Sequence, residues 1–123
     1  MSKRKPTIDI ARVYDLPQPD TRFRVLVDRL WPRGVSKTDA QVEHWARSIA
    51  PSTELRRWYG HDPDKWKEFQ RRYRAELDAN PEGVAQLVAE LGRGTNTLLY
   101  ASKEERLNNA TVLRAYLEER VGR

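Results

Sequence analysis

Two apolar runs constrain the fold of this chain most: Val25-Leu26-Val27, and the stretch around Leu98 and Leu99. An unbroken β-branched and apolar run suits a strand buried on both faces. Most of the helical periodicity lies between the two runs, and a parallel strand pair requires a crossover of that length. Strands over 24–30 and 96–101 are therefore expected as parallel neighbours in the centre of a sheet. Residues 7–14, where Ile8 and Ile10 alternate with polar neighbours, read as a further strand. The link from there to the second strand, with Pro17 and Pro19, is a loop too short for a full helix. That leaves the relative direction of those two strands open. Residues 43–49 fit a short strand or a turn, and 35–42 read as irregular.

The helix boundaries are better marked. Ser52 or Thr53 caps a short helix that places Leu55, Trp58 and Tyr59 on one face and closes at Gly60. Asp62-Pro63 joins a capping carboxylate to a proline at the first helical position. The helix after it puts Trp66, Phe69, Tyr73 and Leu77 on one stripe. Asn80-Pro81 repeats the start signal ahead of Val84, Leu87, Val88 and Leu91, with Gly92 as the stop. A last helix covers about 107–121, with Ala110, Leu113 and Leu117 inward. The class is α/β: a small, mostly parallel central sheet of three to four strands, flanked by about four helices. The 123 residues suit a single domain, with 1–6 as a flexible basic tail.

Several segments together resemble one known family. Arg24-Val-Leu-Val-Asp-Arg-Leu-Trp-Pro-Arg-Gly34 looks like the hallmark of the YeaO-like branch of domain-of-unknown-function family 488. Pro51-Ser52, Leu55-Arg56, Trp58 and His61 match the middle of that pattern. Trp66, Phe69, Arg72-Tyr73 and Glu76-Leu77 match its long helix. Thr97 to Tyr100 match its late strand, and Asn108, Ala110 and Leu113 its last helix. The resemblance covers nearly the whole chain. It implies an α/β fold and implies no activity, since the family is named for lacking an assigned one.

Composition removes whole classes of chemistry. The chain has no cysteine, which excludes thiol nucleophiles, disulfides and cysteine-held metals. His44 and His61 lack metal-ligand spacing, so no metal site is expected. Gly92-Arg93-Gly94 is too short for a dinucleotide loop and no Walker sequence is present, so no cofactor is expected. The start carries basic residues without an apolar stretch, and no run approaches a membrane span. Cytoplasmic residence, with no membrane partner, is expected by elimination. The net charge of +5 favours an anionic partner, although 18 acidic residues are mixed with the 23 basic ones.

Three constellations are candidates for a site. The first is Asp28, Arg29, Trp31 and Arg33, placed where a central strand ends. Ligands of open α/β sheets bind at that carboxyl edge. Asp28 offers a base, and Arg29 and Arg33 offer forks for a carboxylate or phosphate. The plain alternative is an internal Asp–Arg bridge with Trp31 as a core plug. The second is Tyr100, Ser102, Lys103 and Asn108, a strand, loop and helix start that is distantly rhodanese-like in layout. The missing cysteine rules out sulfur transfer and cysteine phosphatase chemistry, and the plain role of Asn108 is a cap. The third is Ser52, Arg56, His61, Arg72, Tyr73 and Glu76. Here His61, next to Asp62, is a possible acid or base, and Arg72 and Glu76 are expected to pair along their helix.

The leading expectation is a domain that binds a small anionic or phosphate-containing ligand at the carboxyl edge, through Arg29, Trp31, Arg33, Ser52, Arg56, Arg72, Tyr100 and Asn108. A hydrolase or transferase using Asp28 and His61 is the first alternative. Nucleic-acid binding through Lys65, Lys67, Arg71 and Arg74 on the basic helix is the second, not favoured one. Oligomeric state is not legible. Trp31 is expected to be largely buried, and Asp28 paired with an arginine, because an unpaired carboxylate at a strand end is costly.

Overall fold

The computed structural model describes residues 6–15, 21–36, 38 and 41–121. Of the basic start only Pro6 is included, and the proline-bearing link lies outside the described residues from 16 to 20. Four strands form one parallel sheet: β1 (Thr7–Arg12), β2 (Thr21–Leu26), β3 (His44–Trp45) and β4 (Thr95–Tyr100). Their order is β1-β4-β2-β3. The expected central pair is there, with Val25 opposite Leu98 and Leu26 opposite Leu99. The direction left open is also resolved. β1 runs parallel to β2, because β4 enters between them and pairs in parallel with both.

Among the described residues four helices follow the predicted caps. Ser52 accepts from the Leu55 N–H to start α1 (Thr53–Tyr59), and Gly60 ends it in the left-handed region. Asp62 caps a short 3-10 turn, Pro63–Lys65, which leads into α2 (Trp66–Asp78). Asn80 caps α3 (Pro81–Glu90) by accepting from Gly83. Asn108 accepts from the Thr111 N–H at the start of α4 (Asn109–Val121). The stretch 43–49 divides into β3 and a 3-10 turn, Arg47–Ile49.

Strand alternation sorts the core onto two faces. Val25, Val27, Leu98 and Tyr100 point to the face where Phe69, Tyr73, Leu87 and Leu113 arrive from the helices. Leu26 and Leu99 point to the other face, where Val13, Trp31, Val35 and Trp45 pack. None of the described helices is long and apolar enough to cross a membrane.

β2 leaves the sheet earlier than expected, at Leu26 rather than residue 30. The Val27 N–H still bonds the Leu99 carbonyl. One residue later Asp28 uses its side chain where a ladder would use backbone: its Oδ2 accepts from the Ala101 N–H at 2.9 Å. That exchange ends the strand and fixes where the polar loops open.

Candidate functional site

Beyond the carboxyl ends of β2 and β4 lies a pocket of about 290 Å³. Asp28 and Arg29 reach it from the end of β2, Ala101 and Ser102 from the end of β4, and Asn108 and Asn109 from the start of α4. Arg56, Tyr59 and His61 enter from α1 and the turn after it, with Pro51 and Phe69 adding apolar wall.

Asp28 is held by amides. Its Oδ1 accepts from Asn109 Nδ2 at 3.0 Å, and the same nitrogen donates to the Val27 carbonyl at 2.9 Å. The indole N–H of Trp45 donates to the Asp28 carbonyl at 2.8 Å. Burial raises the Asp28 pKa above its ordinary value. The bonds from Asn109 and Ala101, with the charges of Arg56 and His61, pull the other way. The expected Asp28–arginine pair does not form among the described residues. Arg29 donates through Nε to the Pro51 carbonyl and through Nη2 to that of Ala50, at 3.0 and 3.1 Å. A guanidinium forked onto two carbonyls pins the turn before α1 and leaves Asp28 to the two amides.

Arg56 is a different case. It is exposed at the pocket and makes no ion pair or side-chain hydrogen bond among the described residues. His61 is exposed beside it, with its ring 5.8 Å from that of Tyr59. Its backbone has φ 59°, directly after Gly60 at φ 53°. Two left-handed residues in a row turn the chain sharply off α1 and bring the imidazole over the pocket. The loop 101–108 is tied from several sides. Arg12 Nε donates to the Ser102 carbonyl, Tyr59 Oη to the Leu107 carbonyl, and Asn108 Nδ2 to the Glu104 carbonyl. The Glu104 carboxylate accepts from the N–H groups of Arg106 and Leu107, which lower its pKa.

Of the residues singled out in the sequence, the structure brings Asp28, Arg29, Arg56, His61, Ser102 and Asn108 to this one pocket. The others lie elsewhere. Tyr100 is buried in the helix-side core and is not a pocket wall. Trp31 is half-buried on the opposite sheet face, edge-on to Trp45 at 5.4 Å, with its N–H on the Val35 carbonyl. Arg33 is exposed, and its carbonyl accepts from Tyr14. Ser52 is bound to Glu76 through both its N–H and its hydroxyl, at 2.8 and 2.6 Å. Glu76 is therefore the partner of Ser52 and not of Arg72. Arg72 pairs with Glu68 and lies 4.2 Å over the Trp58 ring. Asn109 was not singled out in the sequence. Beside a stronger cap signal at Asn108, nothing local marks it.

The family comparison bears on the whole chain. Residues 7–123 match the family described as "Inactive DUF488-N3 subclade". The chain belongs to the DUF488 family. A DUF488 relative from Escherichia coli, "Uncharacterized protein YeaO", is 38% identical over 110 residues, covering 89% of this chain and 96% of YeaO. "Uncharacterized protein Rv3073c" of Mycobacterium tuberculosis is 40% identical over 117 residues, 95% of this chain and 98% of the relative. "Uncharacterized protein Mb3100c" of Mycobacterium bovis is similar to the same extent. No solved structure matches the DUF488 chain.

Proposed function

We propose that this DUF488 chain binds a small molecule carrying an anionic group, such as a phosphate ester, in the pocket beyond β2 and β4. The observation that carries this reading is the guanidinium of Arg56. Among the described residues it forms no ion pair, whereas Arg71, Arg72 and Arg74 are all engaged by Glu68 or Glu119. His61 beside Arg56, and the N-terminal end of α4 below, add to the attraction for negative charge.

Catalysis by Asp28 and His61 is the second reading, favoured by their meeting in one pocket and by the raised pKa of Asp28. Two features weigh against it. Both Asp28 oxygens already accept protein hydrogen bonds, which hold the carboxylate as a fixed acceptor. The description of the matching subclade as inactive also fits a binding role. Nucleic-acid binding by the α2 face is weaker still. Lys65 donates to the Trp58 carbonyl, and Arg71 and Arg74 are paired with carboxylates.

The test is a titration with inorganic phosphate at low ionic strength. Wild type is expected to bind, and Arg56→Ala to weaken binding about tenfold or more, the scale of a lost charge-assisted contact. Equal affinity of the two proteins sinks the reading.

A further inference from the structure

We propose that the pocket is two-ended: a neutral N–H donor edge of the guanine type lies against Asp28, and an anionic group lies against Arg56. The Arg56 end rests on the anion reading above; the Asp28 end rests on separate observations.

An ionised carboxylate has about four acceptor positions. Asp28 spends one per oxygen, on Asn109 and on the Ala101 N–H. The remaining acceptor capacity, one position per oxygen, suits two adjacent N–H groups held in one plane. No cation bonds this carboxylate among the described residues. Besides the bonds from Asn109 and Ala101, the groups that favour its charge are Arg56 and His61 at the same pocket. A ligand cation placed between would face both of them, whereas a neutral donor edge meets no such repulsion. Pro51, Tyr59 and Phe69 supply the apolar wall that a flat heterocycle needs between its polar ends. The volume of about 290 Å³ is at the lower end of small-molecule sites and suits one ring system with one anionic group.

The experiment is a calorimetric titration of the full chain with guanosine 5′-monophosphate, adenosine 5′-monophosphate, guanosine and inorganic phosphate. Adenine presents a ring acceptor where guanine presents a donor, so the two monophosphates differ at the Asp28 end and share the other. The guanosine monophosphate is expected to bind at least about tenfold more tightly than the adenosine one. Asp28→Asn is expected to abolish that preference. Equal affinity for the two monophosphates overturns the proposal and spares the anion reading. Guanosine binding with no gain from its phosphate overturns the anion reading and the Arg56 end with it. No response to any of the four overturns both. Asp28→Asn sets an amide against two donors and can fail to fold, so wild-type crystals with guanosine monophosphate provide the second measurement. The guanine edge is expected on Asp28, and an edge turned to solvent overturns the proposal.

Discussion

His61 holds a backbone conformation that glycine adopts freely and other residues adopt at a cost of about 1–2 kcal/mol. Its side chain gains little in return, being exposed and in contact mainly with the Tyr59 ring. Strain kept at a pocket fits a residue retained for what it faces. His61→Gly is therefore expected to leave the melting temperature unchanged or raise it, while weakening phosphate binding. A lower melting temperature would show that the imidazole is structural. Asn109 poses the converse case. Its amide bonds both Asp28 and the Val27 carbonyl, so Asn109→Ala should cost about 1–3 kcal/mol. Losing a donor to the ionised form should also push the Asp28 pKa higher still, which a carbon-detected NMR titration of that carboxyl reads directly. The sequence points to Asp28 through its place at the end of an apolar run. It does not point to the partner, because Asn109 meets Asp28 only after β3, α1, α2, α3 and β4 have been laid down between them.

At the scale of elements, capping chemistry was the most legible signal. Ser52, Asp62 and Asn80 each cap where a short polar side chain precedes a helical stripe. Strand ends were less legible. Val27 and Asp28 continue a strand pattern on paper, yet the side chain of Asp28 takes over the N–H of Ala101 and the ladder stops. The Arg72–Glu76 pair failed for a similar reason. Spacing of four places them together, but Glu76 faces the α1 cap, where it accepts two bonds from Ser52. That arrangement joins α1 to α2 through a single carboxylate. Ser52→Ala should cost about 1 kcal/mol as a lost cap. In a double-mutant cycle with Glu76→Ala the two effects should be non-additive by about 1 kcal/mol, measured by urea unfolding. Additivity would mean that the contact contributes no coupling.

Across the whole molecule, carboxylates act on stability in opposite directions. The Asp28 pKa is raised above 3.8 in the folded protein. Its contribution is thus complete below 3.8 and is lost as pH rises through the folded value. Glu104 is lowered from 4.5, and Glu68 is lowered from 4.5 to about 2 by Arg71 and Arg72. Their contributions are present above 4.5 and are lost as pH falls through the lowered values. The stability of wild type relative to Asp28→Asn should therefore grow as pH falls from neutral towards 3.8. Parallel melting temperatures of the two proteins over that interval would refute the assignment.

The topology was half legible at this scale. The β2–β4 pair follows from two apolar runs and a long crossover, but nothing near β1 announces that β4 enters between β1 and β2. That strand order has a consequence for synthesis. Among the described residues no two consecutive strands form a hairpin, and the only strand contact complete before β4 is the two-residue match of β2 with β3. β1 has no partner until Thr95–Tyr100 exists. A chain emerging from the ribosome must therefore carry its first strand unpaired until nearly four-fifths of its length has been made. The sheet then closes as a late event around its last-made strand.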